Sequence, residues 1–503
     1  MLTYDLADCG NLPLYEALYT NIRRDIQEGT IAAGDRLPSK RSLARHLEVS
    51  VTTVEGAYRR LLEEGYIRSR PSSGYYVEER QTAPDPVLYH DYYANAYGTG
   101  GSSSDGYSYD DFEEPDDAGP GGSDSGEDAA DESFSMDFKG NRCSMTLFPM
   151  SVWTKTMRQL LSNPDRELLG TIPYNGLHSL RQAIADYLRR YRGMKINPAQ
   201  VVIGAGTEYL YERLMHLFGQ SALIAFEDPG YKKLVQVCTR TGVGHRFVPI
   251  DEQGMDVRAL VASRATVAHL SPSSHFPTGV TMTKRRREEL VEWAHSDPFR
   301  FIIEDDYDSE FAEASQRHPS LYSMDKVGRV VYMNTFSKVL VPSLRISYMI
   351  LPESLLSLYR HGMSFYACTA SGFEQQTLAR FIEEGALERH LDRLRNYYGK
   401  KRRQLVKAIA ASPISNILTV ADSNAGTHLL VRVDTQMSDA DIHRAAQRIN
   451  LKLQMLSDYC HRPRLSDMHT LVINFAGMEE EDVANAVQML ERLFLEQRTQ
   501  ADI

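Results

Sequence analysis

Apolar residues recur at intervals of four in the opening stretch LPLYEALYTNIRRDIQEG: Leu14, Leu18, Ile22 and Ile26. That spacing predicts one face of a helix. Pro38 and Ser39 then open a short helix, with Ser39 as its N-cap and Leu43, Ala44 and Leu47 as its core face. Val49–Ser50 reads as a tight turn, and a second helix is predicted from about Thr52 to Glu64, stopped by Gly65. YIRSRPSSGYYV follows as a hairpin whose tip is Ser72, Ser73 and Gly74.

The pattern is lost after residue 79 and returns near 136. The intervening GTGGSSSDGYSYDDFEEPDDAGPGGSDSGEDAADES is rich in Gly, Ser, Asp and Glu. Such a segment cannot bury enough apolar surface to offset its chain entropy, so residues 80–135 are expected to be a disordered linker. A flexible chain of that length spans roughly 40 Å. Beyond it, short apolar runs such as QVVIGAG, SALIAFEDPGY, FRFIIEDDY and RVVYMNTFSK alternate with amphipathic helices such as SLRQAIADYLRRYRG. That alternation predicts an α/β domain, residues 136–503, with a mainly parallel sheet and helices on both faces. Ligands of such sheets bind at the carboxyl ends of the strands.

Charge sharpens the division. The net charge is -11, but residues 81–138 hold fifteen Asp or Glu and no Lys or Arg, so the remainder sums to +4. Overall acidity therefore belongs to the linker and says little about partners. The five cysteines are scattered, with no CxxC pair and no HExxH, so neither a disulfide framework nor a structural metal is expected. No apolar run of membrane-spanning length occurs, and a cytoplasmic protein is the expectation.

Helix, turn, helix and hairpin in residues 1–79 follow the order of a winged helix-turn-helix. Lys40, Arg41, Arg45, Arg59 and Arg60 lie in or near the motif, although residues 1–80 as a whole are close to neutral. The phrases LPSKRSLARHLEVS, TVEGAYRRLLEEGYI and SSGYYV resemble the DNA-binding domain of GntR-type regulators. The resemblance implies contacts to double-stranded DNA from Ser39, Arg41, Thr52 and Thr53, and from Ser73 and Gly74 at the wing tip. Val51 departs from the pattern, standing where such domains often carry an arginine.

In the second region four polar loops follow apolar strands. GAGTEYL places Gly204, Gly206 and Thr207 before a helix, whose N-terminal N–H groups suit a phosphate. EDPGY presents Tyr231, a ring able to stack on a flat ligand. IEDDY presents Asp305 and Tyr307, and NTFSKVLVPSLR presents Ser337, Lys338 and Arg345. A lone lysine near a turn would be structural. A lysine accompanied by a phosphate cradle, an aromatic plate and a carboxylate fits pyridoxal 5'-phosphate (PLP): the amine condenses with the aldehyde, and the carboxylate keeps the pyridine nitrogen protonated.

Residues 140–495 resemble the fold-type I aminotransferases, and the two regions together resemble the MocR subfamily of GntR-type regulators. The resemblance implies Lys338 as the cofactor-linked, catalytic lysine, with Gly206, Thr207, Ser337 and Arg345 at the phosphate. It implies Asp305 at the pyridine nitrogen, Tyr307 at the phenolate oxygen and Tyr231 on the ring. Three departures are visible. Phe276 stands where aminotransferases place an asparagine, with His275 beside it. Val472 stands where they place the arginine that clamps a substrate carboxylate, leaving Lys233, Arg462 and Arg464 as candidates for effector contacts. TIPYNG lacks a tyrosine common before that glycine, with Tyr174 nearest. The expected function is a homodimeric transcriptional regulator that binds paired DNA half-sites and senses an amine, an amino acid or PLP. The competing expectation is an active aminotransferase carrying a DNA-binding domain.

Overall fold

The computed structural model describes residues 4, 14–28, 30–32, 34–47, 49–63, 66–70, 74–77, 134–139, 144–164, 166–311, 318–421 and 426–501. Gly65, Ser73 and the linker expectation lie outside the described residues, apart from Phe134 and Ser135. Ser135 already donates its N–H to Asn450 O.

The head consists of α1 (Leu14–Glu28), β1 (Arg36–Leu37), α2 (Lys40–His46), α3 (Val51–Glu63), β2 (Ile67–Arg70) and β3 (Gly74–Val77). The three strands pair antiparallel in the order β1-β3-β2. Ser39 caps α2, its Oγ accepting from Ser42 N. Such a cap contributes about 1 kcal/mol. Leu18, Ile22, Leu43, Val54, Ala57, Leu61 and Ile67 close one small core. Leu14 differs from its expected place: it opens α1 and stays 46% exposed, because its turn lies at the very start of the packed face.

The larger domain opens with β4 (Met136–Asp137), which lies apart from its main sheet, eight strands in the order β5-β12-β11-β10-β9-β6-β7-β8. Its strands are β5 (Val201–Gly204), β6 (Leu223–Asp228), β7 (Gly244–Asp251), β8 (Gly254–Met255), β9 (Val267–Leu270), β10 (Phe301–Asp305), β11 (Val330–Thr335) and β12 (Ser347–Ile350). The β7-β6-β9-β10-β11 run is parallel, as the apolar strand–helix alternation predicts. β12 runs antiparallel between β11 and β5. Alternate residues feed different cores: Ile203, Tyr332 and Tyr348 pack in one cluster, and Val202, Met333 and Met349 in another. The sheet is therefore covered on both faces. A small antiparallel sheet, His428–Val433 between Leu418–Val420 and Thr470–Asn474, completes the domain.

Register fixes the functional edge. Ser347 pairs with Gly204 on one side and with Thr335 on the other, while Asp305 pairs with Met333. The ends of β5, β10 and β11 thus lie level, and the loops that follow them emerge together.

Candidate functional site

Lys338 follows the end of β11, and its Nζ lies 3.9 Å from the centre of the Tyr307 ring. A cation over an aromatic face is attracted by the ring quadrupole. Burial lowers the Lys338 pKa, while Asp308 and Asp305 draw it back up. A lysine held this way is more easily deprotonated, as a nucleophilic amine must be.

Asp305 ends β10, with its side chain 15% exposed and His269 Nε2 at 3.8 Å, beyond hydrogen-bond distance. Burial pushes Asp305 up to about 7, against the pull of Lys338. The same cause takes His269 down to about 4, so that ring is neutral near pH 7. Asp305 therefore stands beside a neutral imidazole and is poised to ionise against any new cation.

At the opposite end, Gly206 precedes the helix Thr207–Phe218 with φ 104, a conformation that favours glycine. A Cβ there would come within 2.2 Å of Arg345 Nη2. Arg345 itself adopts the left-handed conformation, φ 47, uncommon for a residue with a side chain. The two backbone exceptions bring the guanidinium across the helix N-terminus. Beneath it runs a hydroxyl chain: Thr207 Oγ1 lies 3.4 Å from Ser347 Oγ, which donates to Thr335 Oγ1 at 2.8 Å. The buried Ser337 Oγ has no hydrogen-bond partner among the described residues.

These features fit PLP. An anion cradle that a Cβ would fill, with an unpaired buried hydroxyl beside it, a half-buried lysine and a half-buried carboxyl answer to three polar parts of that molecule: its phosphate, its aldehyde and its pyridine nitrogen. Were PLP bound, Gly206, Thr207, Ser337 and Arg345 could hold its phosphate, Lys338 its aldehyde and Asp305 its pyridine nitrogen. Tyr231 is 43% exposed and 6.4 Å, edge to face, from Phe276.

Other expected residues lie differently. The Tyr307 hydroxyl donates to Ser274 O at 3.0 Å, while its ring faces Lys338. His275 is 3% exposed, with Nδ1 2.8 Å from Thr278 Oγ1 and Nε2 3.7 Å from Glu227. Burial takes its pKa to about 3, leaving a neutral ring packed inside the wall. Lys233 is paired with Glu208 at 3.3 Å. Arg462 and Arg464 are exposed, in the segment that follows the Tyr459–His461 contacts with the EDPGY turn. Tyr174 packs against Tyr359 at 6.2 Å. Val472 faces Leu430 across the small sheet and is buried with Leu456, beside Phe276 and Tyr459. The place where an arginine was sought is an apolar wall.

Three participants escaped the sequence reading. His269 reaches Asp305 from the neighbouring strand, which only the β9–β10 register reveals. Glu208 pairs with Arg345 at 2.9 Å. Asp308, pushed up to about 7 by burial, feels Lys338 more strongly than any other charged group. Its signal was present in the spacing of IEDDYDSEF, where carboxylates alternate at 304, 306, 308 and 310.

In the head, α3 begins at Val51, one residue before the expected start. Ser50 Oγ lies 2.7 Å from both Thr52 Oγ1 and Thr53 Oγ1 and accepts from Thr53 N at 3.0 Å. It is the cap that the sequence reading overlooked. Arg41 and Thr52 are exposed, and Thr53 is half-buried. Lys40 is held by Glu55 at 2.6 Å. Arg60 turns toward α1, bonded to Glu16 at 2.8 Å, and belongs to the helix packing and not to a DNA surface. Gly74, φ 116, opens β3, and Arg36 packs so close that a Cβ there would lie 3.3 Å from its Nε. Arg36 adds a cation at the base of the wing.

Head and pocket together define a two-part protein, a nucleic-acid reader joined to an aminotransferase-like domain. Two family models match the same division: bacterial regulatory proteins of the gntR family over residues 14–77, and aminotransferase class I and II over residues 136–490. The HTH-type transcriptional regulator YdeL of Bacillus subtilis is 34% identical across 95% of this chain and 96% of its own. The probable rhizopine catabolism regulatory protein MocR of Rhizobium meliloti is 28% identical across 96% and 94%. The pyridoxine biosynthesis transcriptional regulator PdxR of Corynebacterium glutamicum is 28% identical across 88% of each. The chain belongs to the MocR-like, GntR-type transcriptional regulators. Among solved structures, the kynurenine aminotransferase of Pyrococcus horikoshii superposes with a TM-score of 0.63 at 21% identity, covering 73% of this chain and 92% of its own. LysN, an α-aminoadipate aminotransferase of Thermus thermophilus, gives 0.62 at 22% identity, covering 73% and 93%. Both likenesses concern the fold of the larger domain.

Proposed function

We propose that this regulator holds PLP at Lys338 and uses the occupied pocket to read an amine, or PLP itself, as its signal. The observation that carries the reading is the contact of the half-buried Lys338 with the Tyr307 ring, within electrostatic reach of Asp308 and Asp305, at the same sheet edge as the Arg345–Gly206 cradle. The cofactor supplies an electrophilic aldehyde and an electron-withdrawing ring. With the cofactor bound, Asp305 would hold negative charge toward its ring nitrogen, because its pKa, raised by burial to about 7, would fall beside a cation. Lys338 would hold the group through its amine. The head binds DNA through Arg41, Thr52, Thr53 and the wing.

An effector shifts the head only through a difference in affinity between two arrangements of the protein. The buried Val472–Leu430–Leu456 wall lacks a cation to hold a substrate carboxylate, which supports sensing over sustained transamination. A homodimer on paired half-sites is part of the same proposal. Leu161, Leu169 and Phe373, exposed on neighbouring helices, supply apolar surface for a second copy.

Borohydride fixation of PLP-treated protein, followed by peptide mapping, should place a pyridoxyl group on Lys338. Promoter-fragment binding measured with a panel of amines should then shift with at least one of them. An unmodified Lys338 would reject the cofactor role. Steady turnover of an amino acid with a 2-oxoacid, without any change in DNA binding, would favour an enzyme.

A further inference from the structure

Glu208 is the second residue of the helix Thr207–Phe218. Its Oε2 lies 2.9 Å from Arg345 Nη2, and its Oε1 lies 3.3 Å from Lys233 Nζ. It stands in the first turn of that helix, whose leading N–H groups have no intrahelical partner. A Cβ placed on Gly206 would lie 2.8 Å from Arg345 Cζ and 3.2 Å from Glu208 Oε2, so carboxylate and guanidinium meet directly over the cradle glycine.

These are the donors a phosphate would use: a guanidinium, a helix-terminal N–H and a nearby ammonium. A carboxylate held by the guanidinium and the ammonium in the first turn of that helix occupies the electrostatic role of the phosphate. Two anions cannot share one guanidinium without repulsion, and the pair is about half exposed on the arginine side, so displacement costs little.

Resting on the proposed cofactor site, we propose that Glu208 is an internal competitor for the phosphate of a phosphorylated ligand. It loosens the pocket so that occupancy follows ligand concentration. An enzyme gains from a saturated cofactor. A sensor of a phosphorylated aldehyde gains from a site that can empty.

Equilibrium titrations of full-length wild type and Glu208→Gln with PLP, and in parallel with unphosphorylated pyridoxal, test this. Glu208→Gln keeps the side-chain shape and removes the charge. PLP should bind about fivefold more tightly to the variant, the scale of a partly exposed ion pair, and pyridoxal affinity should not change. Unchanged or weaker PLP binding would overturn the competitor role and leave Glu208 as a support for Arg345. Equal tightening of both ligands would overturn its phosphate selectivity. Failure of the wild type to bind either compound would instead remove the cofactor reading itself, and this inference with it.

Discussion

The head and the larger domain place chemistry in opposite ways. In the head, the residues proposed to meet DNA come from one short stretch of chain, and Arg41 on α2 and Thr52 on α3 lie open to water, as does Arg36 beside the wing. Its ion pairs, Lys40–Glu55 and Arg60–Glu16, keep at least a fifth of each side chain exposed or close to it. In the larger domain the ends of distant strands converge; carboxyls at 227, 304, 308 and 310 are buried, 305 is half-buried, and desolvation pushes all five up to about 7 or 8. A surface that reads a polyanion works through exposed charge. A pocket that tunes an amine works through desolvation, and desolvation is inherently a property of the whole fold.

The most severe separation of the two regions should come from Asp305→Asn. Losing a charge-assisted partner at a pyridinium costs about 2 kcal/mol, or about 30-fold in PLP affinity. Promoter affinity of the PLP-free protein should stay within twofold, because among the described residues no head side chain is hydrogen-bonded or ion-paired to that carboxyl. An absorbance titration and fluorescence anisotropy on the same preparation measure both. Unchanged PLP affinity would remove the role given to Asp305.

Arg41→Ala attacks the other side. The loss of one exposed arginine contact should weaken operator binding about tenfold while the Lys338 adduct forms normally. A variant that lost both would show that the two regions do not act as separate units.

The same contrast decides what could be read from sequence alone. The head was legible because its signals are local: Ser39 as a cap, the apolar spacing of α1 and the hairpin before Val77. The missed cap, Ser50, was masked by its assignment to the turn. In the larger domain the strand–helix alternation and the motifs carrying Lys338, Asp305 and Arg345 were legible. Their partners were not. His269 reaches Asp305 through strand register, Glu208 reaches Arg345 across 137 positions, and Tyr307 is committed to Ser274 by the course of a loop. His275 looked like a pocket residue by its neighbours in sequence, yet packing buried it against Glu227.

Burial also predicts a pH response confined to one region. The raised carboxyls hold protons in the native state that the unfolded chain releases, so the stability they confer falls as pH rises through about 7. The buried histidines His269, His275 and His428, taken to about 3 to 4, act oppositely but only below their unfolded pKa near 6.5. The lowered Lys338 also opposes the carboxyls, and Lys401, lowered to about 8, does so at higher pH. Between pH 6.5 and 8 the five carboxyls outnumber Lys338. Without added PLP, the Tm of the larger domain should drop by about 5 °C across that window, while the unfolding transition of the head moves little. Calorimetry of the full chain resolves the two transitions. A larger domain that gained stability with rising pH would mean that Lys338 outweighs the carboxyls.

The mildest test adds a charge to the head. Val51 is the first residue of α3 and is 44% exposed. If the N-terminus of α3 meets the DNA backbone, as the positions of Thr52 and Thr53 imply, an arginine at 51 reaches a phosphate. Val51→Arg should then tighten operator binding about threefold at low salt. It should also steepen the salt dependence by about 0.9 in log K against log salt, one extra counterion released. A cation at a helix N-terminus opposes the dipole, so the free head should lose a few tenths of a kcal/mol in stability, about 0.3. The two effects have opposite signs and separate measurements. A steeper slope with slightly lower stability places the start of α3 on the phosphates. Lower stability with an unchanged slope places it off them, and the reading surface would then centre on Arg41 and the wing.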